Sequence, residues 1–457
     1  MTPDTLLDLA RSLPDIEVQT SDEVLAAYGS DQGPVLEYVN PLAVVWPRSV
    51  SEVQQVLRWA SRTGTAVVPR GAGTGVSGGA HATAGSIVLS LERMNRILDI
   101  RPEDELAKVE PGVINADLNN AAAEFGLMYA PDPASYRMST VGGNVATNAG
   151  GLRCAKYGVT RDSVLALDVV LADGTLISTG HQTFKGVAGY DLTGLFTGSE
   201  GTLGIVVGIT VRLRYLPVKV CTLAGFFPDI ESAAAGVLAV GRARVQPAIM
   251  ELLDAETMVA LDAAHGSLLR SRGAALLLVQ TDGYGADAEA DVVRSVLTSA
   301  GGLVTVEGSD EAVEMVNLRR HSRGDAVHTE HRVGEDVAVP RSRLVSYIAE
   351  LNSMARRHRV RLKVVAHAGD GNLHPTFWVD KAEGSAAVQR LDAALDESIA
   401  VALAMGGTIT GEHGVGQFKL RWLAQEQQEE VLDLQRRIKA AFDPAGILNP
   451  GKAILTR

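Results

Sequence analysis

Residues 366–374 read Ala-His-Ala-Gly-Asp-Gly-Asn-Leu-His, and residues 411–414 read Gly-Glu-His-Gly. His367, His374 and Glu412 are of the ligand types that borderline divalent metals such as zinc accept, and a three-ligand set leaves a coordination position open for a substrate. His413 remains as a group able to take up a proton near neutral pH. Far upstream, residues 69–80 and 139–152 are dense in glycine, as a chain is when its backbone runs close to a phosphate-bearing cofactor. An open metal position, a spare base and a large cofactor together imply redox chemistry on a small molecule.

Positioning these groups requires particular elements. Leu362–His367 and Pro375–Val379 are apolar and β-prone, and Gly-Asp-Gly between them is a turn signal. A hairpin is expected that brings His367 and His374 to the same end of its two strands. Glu412 and His413 sit in another glycine-rich turn. Adjacent residues of an extended chain point apart, so these two can serve different roles.

Elsewhere the hydrophobic pattern predicts short amphipathic helices up to about residue 40. It then predicts helices at Ser51–Ser61, Asn115–Phe125, Ala233–Arg242, Ala286–Ser299 and Arg343–Arg357, and one charged helix at Gln417–Phe442. Strands are expected at Ala66–Pro69, Ser86–Leu91, Leu106–Val109, Ile205–Leu213 and Ala274–Gln280. Val164–Ile177 is expected to form a hairpin about Ala-Asp-Gly. The domains read as an N-terminal helical segment (1–37), a cofactor domain (38–217), an α+β substrate or cap domain (218–408) and a C-terminal return segment (409–457).

Composition excludes some classes. A chain of 457 residues exceeds one ordinary core, and 46% hydrophobic with 21% charged residues is globular in character. The net charge of -12 argues against non-specific nucleic-acid binding. Two cysteines, Cys154 and Cys221, cannot build a four-cysteine iron–sulfur site or a disulfide framework. Acids at the start and the lack of a long apolar run argue against a signal peptide or a membrane span, and a cytoplasmic setting is expected.

Gly71-Ala-Gly73-Thr-Gly75 follows a strand, but the residues after it do not open an apolar helix, which disfavours a nicotinamide-type dinucleotide fold. Successive backbone N–H groups can still cradle a pyrophosphate. One such loop is often only a tight turn; three, at 71–79, 139–151 and 198–204, favour a cofactor site.

Three segments carry a more specific signal: Pro69-Arg-Gly-Ala-Gly-Thr-Gly, Val141-Gly-Gly-Asn-Val-Ala-Thr-Asn-Ala-Gly-Gly and Gly198-Ser-Glu-Gly-Thr-Leu-Gly-Ile. They resemble the FAD-binding segments of vanillyl-alcohol-oxidase-type (PCMH-type) flavoproteins. The histidine motifs and Leu448-Asn-Pro-Gly-Lys452 narrow the likeness to the branch of glycolate oxidase FAD subunits, D-lactate dehydrogenases and D-2-hydroxyglutarate dehydrogenases. The likeness covers about residue 40 to the end. It implies an α+β fold, with a two-subdomain FAD-binding domain, a cap domain and the return segment.

It also implies roles by position. Arg70, Gly71, Gly73, Thr74, Gly75, Ser77 and Gly78 would hold the FAD pyrophosphate. Pro133, Ser139, Gly142, Gly143, Asn144, Thr147, Asn148 and Gly151 would line the rest of the cofactor. Glu200, Gly204 and Ile205 would face the adenine side, and Asn449 would return to the flavin. The loop 71–79 has no histidine, so non-covalent FAD is expected. His367, His374 and Glu412 would bind a divalent metal, usually zinc, with His413 as catalytic base or, in the alternative, as an orienting group. Arg319 matches a carboxylate-binding arginine, the competing reading being a solvated helix face; Arg320 and Arg323 are left to that reading. Asn372 would donate to substrate. His321, His328 and His331 read as surface residues.

The resemblance makes the chain a dehydrogenase that oxidises a D-2-hydroxy acid by hydride transfer to flavin. At the position of a lysine that binds the distal carboxylate in D-2-hydroxyglutarate dehydrogenases, this chain has Gly334, beside the acid Glu335. That favours D-lactate or glycolate over D-2-hydroxyglutarate. Two other readings stay open: a metal-dependent hydrolase, and a non-catalytic flavin-binding subunit of a redox complex. The acceptor, whether an electron-transfer flavoprotein, a quinone or oxygen, is not legible. Nor is the oligomeric state, a homodimer being one option.

Overall fold

Val67–Arg70 and Ile87–Ser90 are short runs of mostly branched apolar residues that pair in parallel, with Ala43–Trp46 parallel on the other side of Ile87–Ser90. Glu17–Gln19 adds antiparallel at the edge of this sheet. Strands covered on both faces read as near-continuous apolar runs, and these do. Helix Val50–Thr63 lies between Ala43–Trp46 and Val67–Arg70 in sequence. Ser49 accepts from the Glu52 amide, Glu52 accepts from the Arg48 amide at 2.8 Å, and Gly64 closes the helix at φ 67°. Its Val53, Val56, Leu57 and Ala60 share one face and are buried.

The computed structural model describes residues 3–322 and 328–455. They fall into two compact units: Met1–Gly150, Val159–Leu216 and Glu412–Arg457 make the first; Gly151–Gly158 and Pro217–Gly411 make the second. The first unit also holds an antiparallel sheet in the order Ile97–Arg101, Leu106–Val109, Ile205–Arg212, Val164–Val170, Leu176–Gly180. The second unit is built on one antiparallel sheet. Its order is Leu303–Val306, Val220–Phe227, Ala275–Asp282, Ile249–Asp254, Arg361–His367, Asn372–Asp380, Glu330–Gly334, and Val337–Ala338 pairs with the start of Asn372–Asp380. Helices Ile230–Arg242, Ala286–Ser299, Leu344–His358 and Ser385–Ala404 bury apolar faces in this unit. No helix among the described residues is long and apolar enough to cross a membrane.

The α+β class is as expected, and three local expectations change. Residues 139–151 are not a loop throughout: Val141–Thr147 is a helix, capped by the Thr140 hydroxyl, which accepts from the Gly143 amide at 3.2 Å. Gly142 is needed there because a side chain would run into Pro111. The charged C-terminal helix is two helices, Leu420–Glu426 and Glu429–Phe442, separated at Gln427 and Gln428. A continuous helix would set Glu426 and Glu430 as like charges one turn apart. The break instead puts Glu429 and Glu430 in a first turn, where the helix dipole favours acids. The region before residue 40 includes the strand Glu17–Gln19 as well as helices Pro3–Ser12 and Asp22–Tyr28.

The C-terminal segment is tied to the first sheet by backbone bonds: Val67 donates to Ile447 and Asn449 donates to Val67, both at 2.8 Å. Beneath it, the buried Lys439 donates to Thr202 O and Leu448 O at 2.7 Å each and to the Asp443 carboxylate. Asp443 in turn accepts from the Leu448 amide at 2.7 Å. Removing the cation strands Asp443 out of water, and such losses cost about 3 kcal/mol or more. Lys439→Ala is therefore expected to lower unfolding free energy by about 3 kcal/mol. Denaturant titration checks this, and a change under about 1 kcal/mol would mean that the pair is not the clamp described.

Candidate functional site

In the first unit the glycine-rich segments converge through hydrogen bonds. Gly198 and Glu200 donate backbone N–H groups to Val145 O and Ala146 O, at 2.9 and 2.8 Å, joining the third segment to the helix of the second. Asn449 donates its amide to Gly79 O at 2.9 Å and Glu200 O at 2.7 Å, joining the first and third. Lys452 holds that amide in register by donating to Asn449 Oδ1 at 3.0 Å, and burial pushes its ammonium down to about 8. Gln417 and Phe418 donate to Ser77 O at 2.9 and 3.0 Å. The Glu200 carboxylate accepts from the amides of Val415 and Gly416 at 2.8 and 2.9 Å. Segments 71–79, 145–148, 198–204, 412–418 and 449–452 thus form one cluster. Asn148, Glu200 and Asn449 hold left-handed backbone there, at φ 52°, 51° and 42°; asparagine tolerates it, whereas Glu200 adopts it where its surroundings impose it.

The side chains expected to meet a cofactor divide into two kinds. Ser77 Oγ, Ser139 Oγ and Asn144 Nδ2 are buried polar atoms with no hydrogen-bond partner among the described residues. Buried polar atoms left in this way fit a site that receives a polar ligand. Others are committed to the protein itself. Arg70 donates to Ser30 O at 2.8 Å and lies over the Tyr28 ring. Thr147 donates to Gly143 O, and Asn148 accepts from the Arg161 amide at 2.9 Å. Ile205 is a core residue, Gly204 packs beside Val169, and the Asn449 amide is spent on Gly79 and Glu200. The backbone of Gly71, Gly73, Thr74, Gly75 and Gly78 forms the first loop; Pro133 begins a turn closed by the Tyr136 amide at 2.9 Å. Gly151 belongs to the second unit.

Glu412 and His413 lie in this same first unit, with Glu412 against Gly150, where a side chain would collide with its carboxylate. Their relation differs from the expected one. The segment bends, and His413 Nε2 comes within 3.7 Å of Glu412 Oε1, so the two do not diverge as in a strand.

The second unit carries the histidine pair. The hairpin forms, but its second strand starts at Asn372 rather than at residue 375, so His374 lies inside it. His367 pairs with Asn372 and Val365 with His374, which puts both rings on one sheet face as diagonal neighbours, 5.1 Å apart and edge to face. The fully buried Glu251, on the neighbouring strand opposite His367, sits 2.8 Å from His367 Nδ1. Asp336, also fully buried, lies 3.9 Å from His374 Nδ1 and accepts from the Thr410 hydroxyl at 2.7 Å. Arg319 is not on a solvated face. It is buried at 5% exposure, ion-paired with Glu251 at 2.5 Å and donating to Ser322 Oγ at 3.1 Å. Asn372 Oδ1 is buried without a hydrogen-bond partner among the described residues, next to Gly411. Glu335 turns away and accepts from Ser398. Gly334 is paired with Thr376, and beyond Thr376 on the same face comes the buried Lys363, which donates to Ser322 O at 2.9 Å. His321, His328 and His331 are exposed; Arg323 lies outside the described residues.

Several residues of weight here were not identified by sequence reasoning. Glu251 and Lys363 are charges in the interior of mostly apolar strands, a signal that burial needs an answer. Asp31 anchors the first loop, accepting from Gly33 and Ala80 amides and pairing with buried His81 at 2.9 Å. Nothing local marks Asp31.

Comparison with known proteins adds the following. Residues 216–453 match the family of FAD linked oxidases, C-terminal domain, and residues 41–180 match the FAD binding domain. The glycolate oxidase subunit GlcD of Bacillus subtilis (strain 168) is 40% identical over 417 residues, covering 90% of this chain and 88% of that protein. The subunit of the same name from Escherichia coli (strain K12) is 34% identical over 458 residues, covering 99% and 91%. A D-lactate dehydrogenase of Anaerostipes hadrus is 31% identical over 464 residues, covering 99% and 97%. Among solved structures, p-cresol methylhydroxylase with substrate bound superposes with a TM-score of 0.81 at 20% identity, over 99% of this chain and 97% of that one, a likeness of fold.

Burial pushes the Glu200 carboxyl up to about 7, against which the Val415 and Gly416 amides act only in part. A folded-state value above the unfolded one favours the protonated folded form. That contribution is complete below about pH 4.5 and is lost as pH rises through about 7. The wild type is therefore expected to lose up to ~3 kcal/mol of stability over this window relative to Glu200→Gln. Denaturation of both proteins at pH 4.5 steps upward checks this, and parallel curves would contradict it.

Proposed function

Because this chain belongs to the FAD-linked oxidases, we propose that it oxidises a D-2-hydroxy acid of lactate or glycolate size to the 2-oxo acid, with non-covalent FAD and a divalent metal, zinc being the expected one. His367, His374 and Glu412 are the proposed metal ligands. The observation that carries the reading is one sheet face with two imidazoles edge to face and, against it, the buried guanidinium of Arg319 from the neighbouring helix. An α-hydroxy carboxylate asks for that combination: a Lewis acid at the hydroxyl and a fixed cation at the carboxylate. The names of the relatives, glycolate oxidase and D-lactate dehydrogenase, support the same substrate class.

When bound, the metal supplies a lowered pKa at the substrate hydroxyl and FAD supplies the hydride acceptor. The protein's part is positioning and proton movement. Arg319 takes the carboxylate and Asn372 hydrogen-bonds beside it. His413 receives the hydroxyl proton at its imidazole. Ser77, Ser139 and Asn144 offer their buried polar atoms to the cofactor. His81 is occupied by Asp31, which favours a cofactor held without a covalent link. In domain terms, residues 38–217 with 409–457 serve the cofactor and residues 218–408 the substrate. Gly334 presents no charge for a distal carboxylate, and Lys363 is given over to Ser322 O; both favour a monocarboxylic substrate. Electrons then pass to a separate carrier, an electron-transfer flavoprotein, a quinone or oxygen.

Anaerobic stopped-flow mixing is the deciding test. D-lactate or glycolate should bleach the bound flavin faster than D-2-hydroxyglutarate or the L-enantiomers. No bleaching by any of them would leave a passive flavin subunit, and a preparation without flavin would leave the metal hydrolase. His413→Ala should retain FAD and metal yet slow reduction by about two decades, the usual contribution of a positioned base. A chelator should slow reduction while the flavin spectrum stays that of the bound form; full activity without metal would reject the Lewis-acid role.

A further inference from the structure

Glu251 stands in the run Ile249-Met-Glu-Leu-Leu, on a central strand of the second unit's sheet, and no part of its side chain reaches solvent. A carboxylate in that position must be answered by donors. Glu251 and His367 are direct partners across adjacent antiparallel strands, so both side chains leave the same face. One carboxylate oxygen lies 2.8 Å from His367 Nδ1 and the other lies 2.5 Å from Arg319 Nε. Arg319 Nη2 is also 3.5 Å from His367 Nδ1. That nitrogen cannot donate to Glu251 and accept from Arg319 together, and the short contact to a carboxylate prevails over the long one.

We infer that Glu251 is a positioning residue serving both halves of the substrate site. It holds His367 in the tautomer protonated at Nδ1, which leaves Nε2 to ligate a divalent cation. It also balances and fixes the Arg319 guanidinium, whose Nη1 donates to Ser322 Oγ and whose Nη2 edge is the part proposed to meet a carboxylate. The inference rests on the metal and carboxylate roles proposed above. Neither the glycine-rich segments nor the histidine motifs point to this residue.

An amide shows why the carboxylate is required. In Glu251→Gln, an amide oxygen turned to His367 sets the NH2 group against the Arg319 N–H, donor to donor. Turned the other way, the NH2 group meets His367 Nδ1 and favours the tautomer protonated at Nε2, which cannot ligate. Either outcome harms one half of the site.

The test uses FAD-loaded protein labelled with 15N-histidine and stripped of metal. Long-range 1H–15N spectra, assigned with His367→Gln, read the His367 tautomer in the wild type. A protonated Nδ1 is expected, and a protonated Nε2 would overturn the proposal without any variant at position 251. Zinc competition against a chromogenic chelator then compares wild type, Glu251→Gln and Glu251→Ala. Affinity should fall about 10- to 100-fold in both variants, the range for groups that orient a metal ligand. KM for D-lactate should rise, while the flavin spectrum and circular dichroism stay unchanged. Unaltered zinc affinity in folded variants overturns the proposal. A wild type that binds no zinc sinks the metal reading instead, and the tautomer, measured without metal, judges Glu251 on its own.

Discussion

The first unit depends on a carboxylate placed where water cannot reach it. Glu200, at φ 51° and buried, accepts the amides of Val415 and Gly416, while its own carbonyl accepts the Asn449 amide and its own N–H goes to Ala146. Every polar group of this residue therefore ties a different part of the chain to the third glycine-rich segment. A buried charge tolerates no slack, because each lost donor restores part of the desolvation cost. The result is a set of loops, each short and irregular, held as firmly as secondary structure. That rigidity lets Ser77, Ser139 and Asn144 each keep a buried side-chain polar atom in place with no hydrogen-bond partner among the described residues.

The second unit uses the same device on a sheet. Glu251 and Asp336, both fully buried, stand behind His367 and His374, and Glu251 also meets Arg319. Strand pairing fixes where each Cβ points, so the register His367↔Asn372 and Val365↔His374 alone decides that the two imidazoles share a face. A slip of one residue would send them to opposite faces. The apolar residues that alternate with them are thus part of the chemistry, since they hold the register.

Much of the arrangement was legible in the chain. Gly-Asp-Gly between two apolar β-prone runs announces a hairpin because few other residues close such a turn. Asp-Gly at 173–174 does the same for Val164–Val170 and Leu176–Gly180. Helix Val50–Thr63 is written in Ser49, Glu52 and Gly64. Local rules misled where a longer-range contact competed with them. Gly142 and Gly143 read as loop, yet they start the helix Val141–Thr147, and Gly142 is there because the distant Pro111 packs against it. Arg319 could have faced solvent, and only burial beside Glu251 shows otherwise.

What the sequence determined by itself is what depends on near neighbours and on residue chemistry: turns, caps, amphipathic faces, the α+β class and the imidazole and carboxylate groups at His367, His374 and Glu412. What only tertiary structure decided is which distant residues answer a buried charge. Asp31 for His81, and Glu251 for His367 and Arg319, have no spacing that marks them. The reason is physical. A local motif lowers free energy among residues already adjacent, whereas the partner of a buried ion is chosen by whichever strand or loop the core brings within hydrogen-bonding distance, and that choice is made only when the chain has packed.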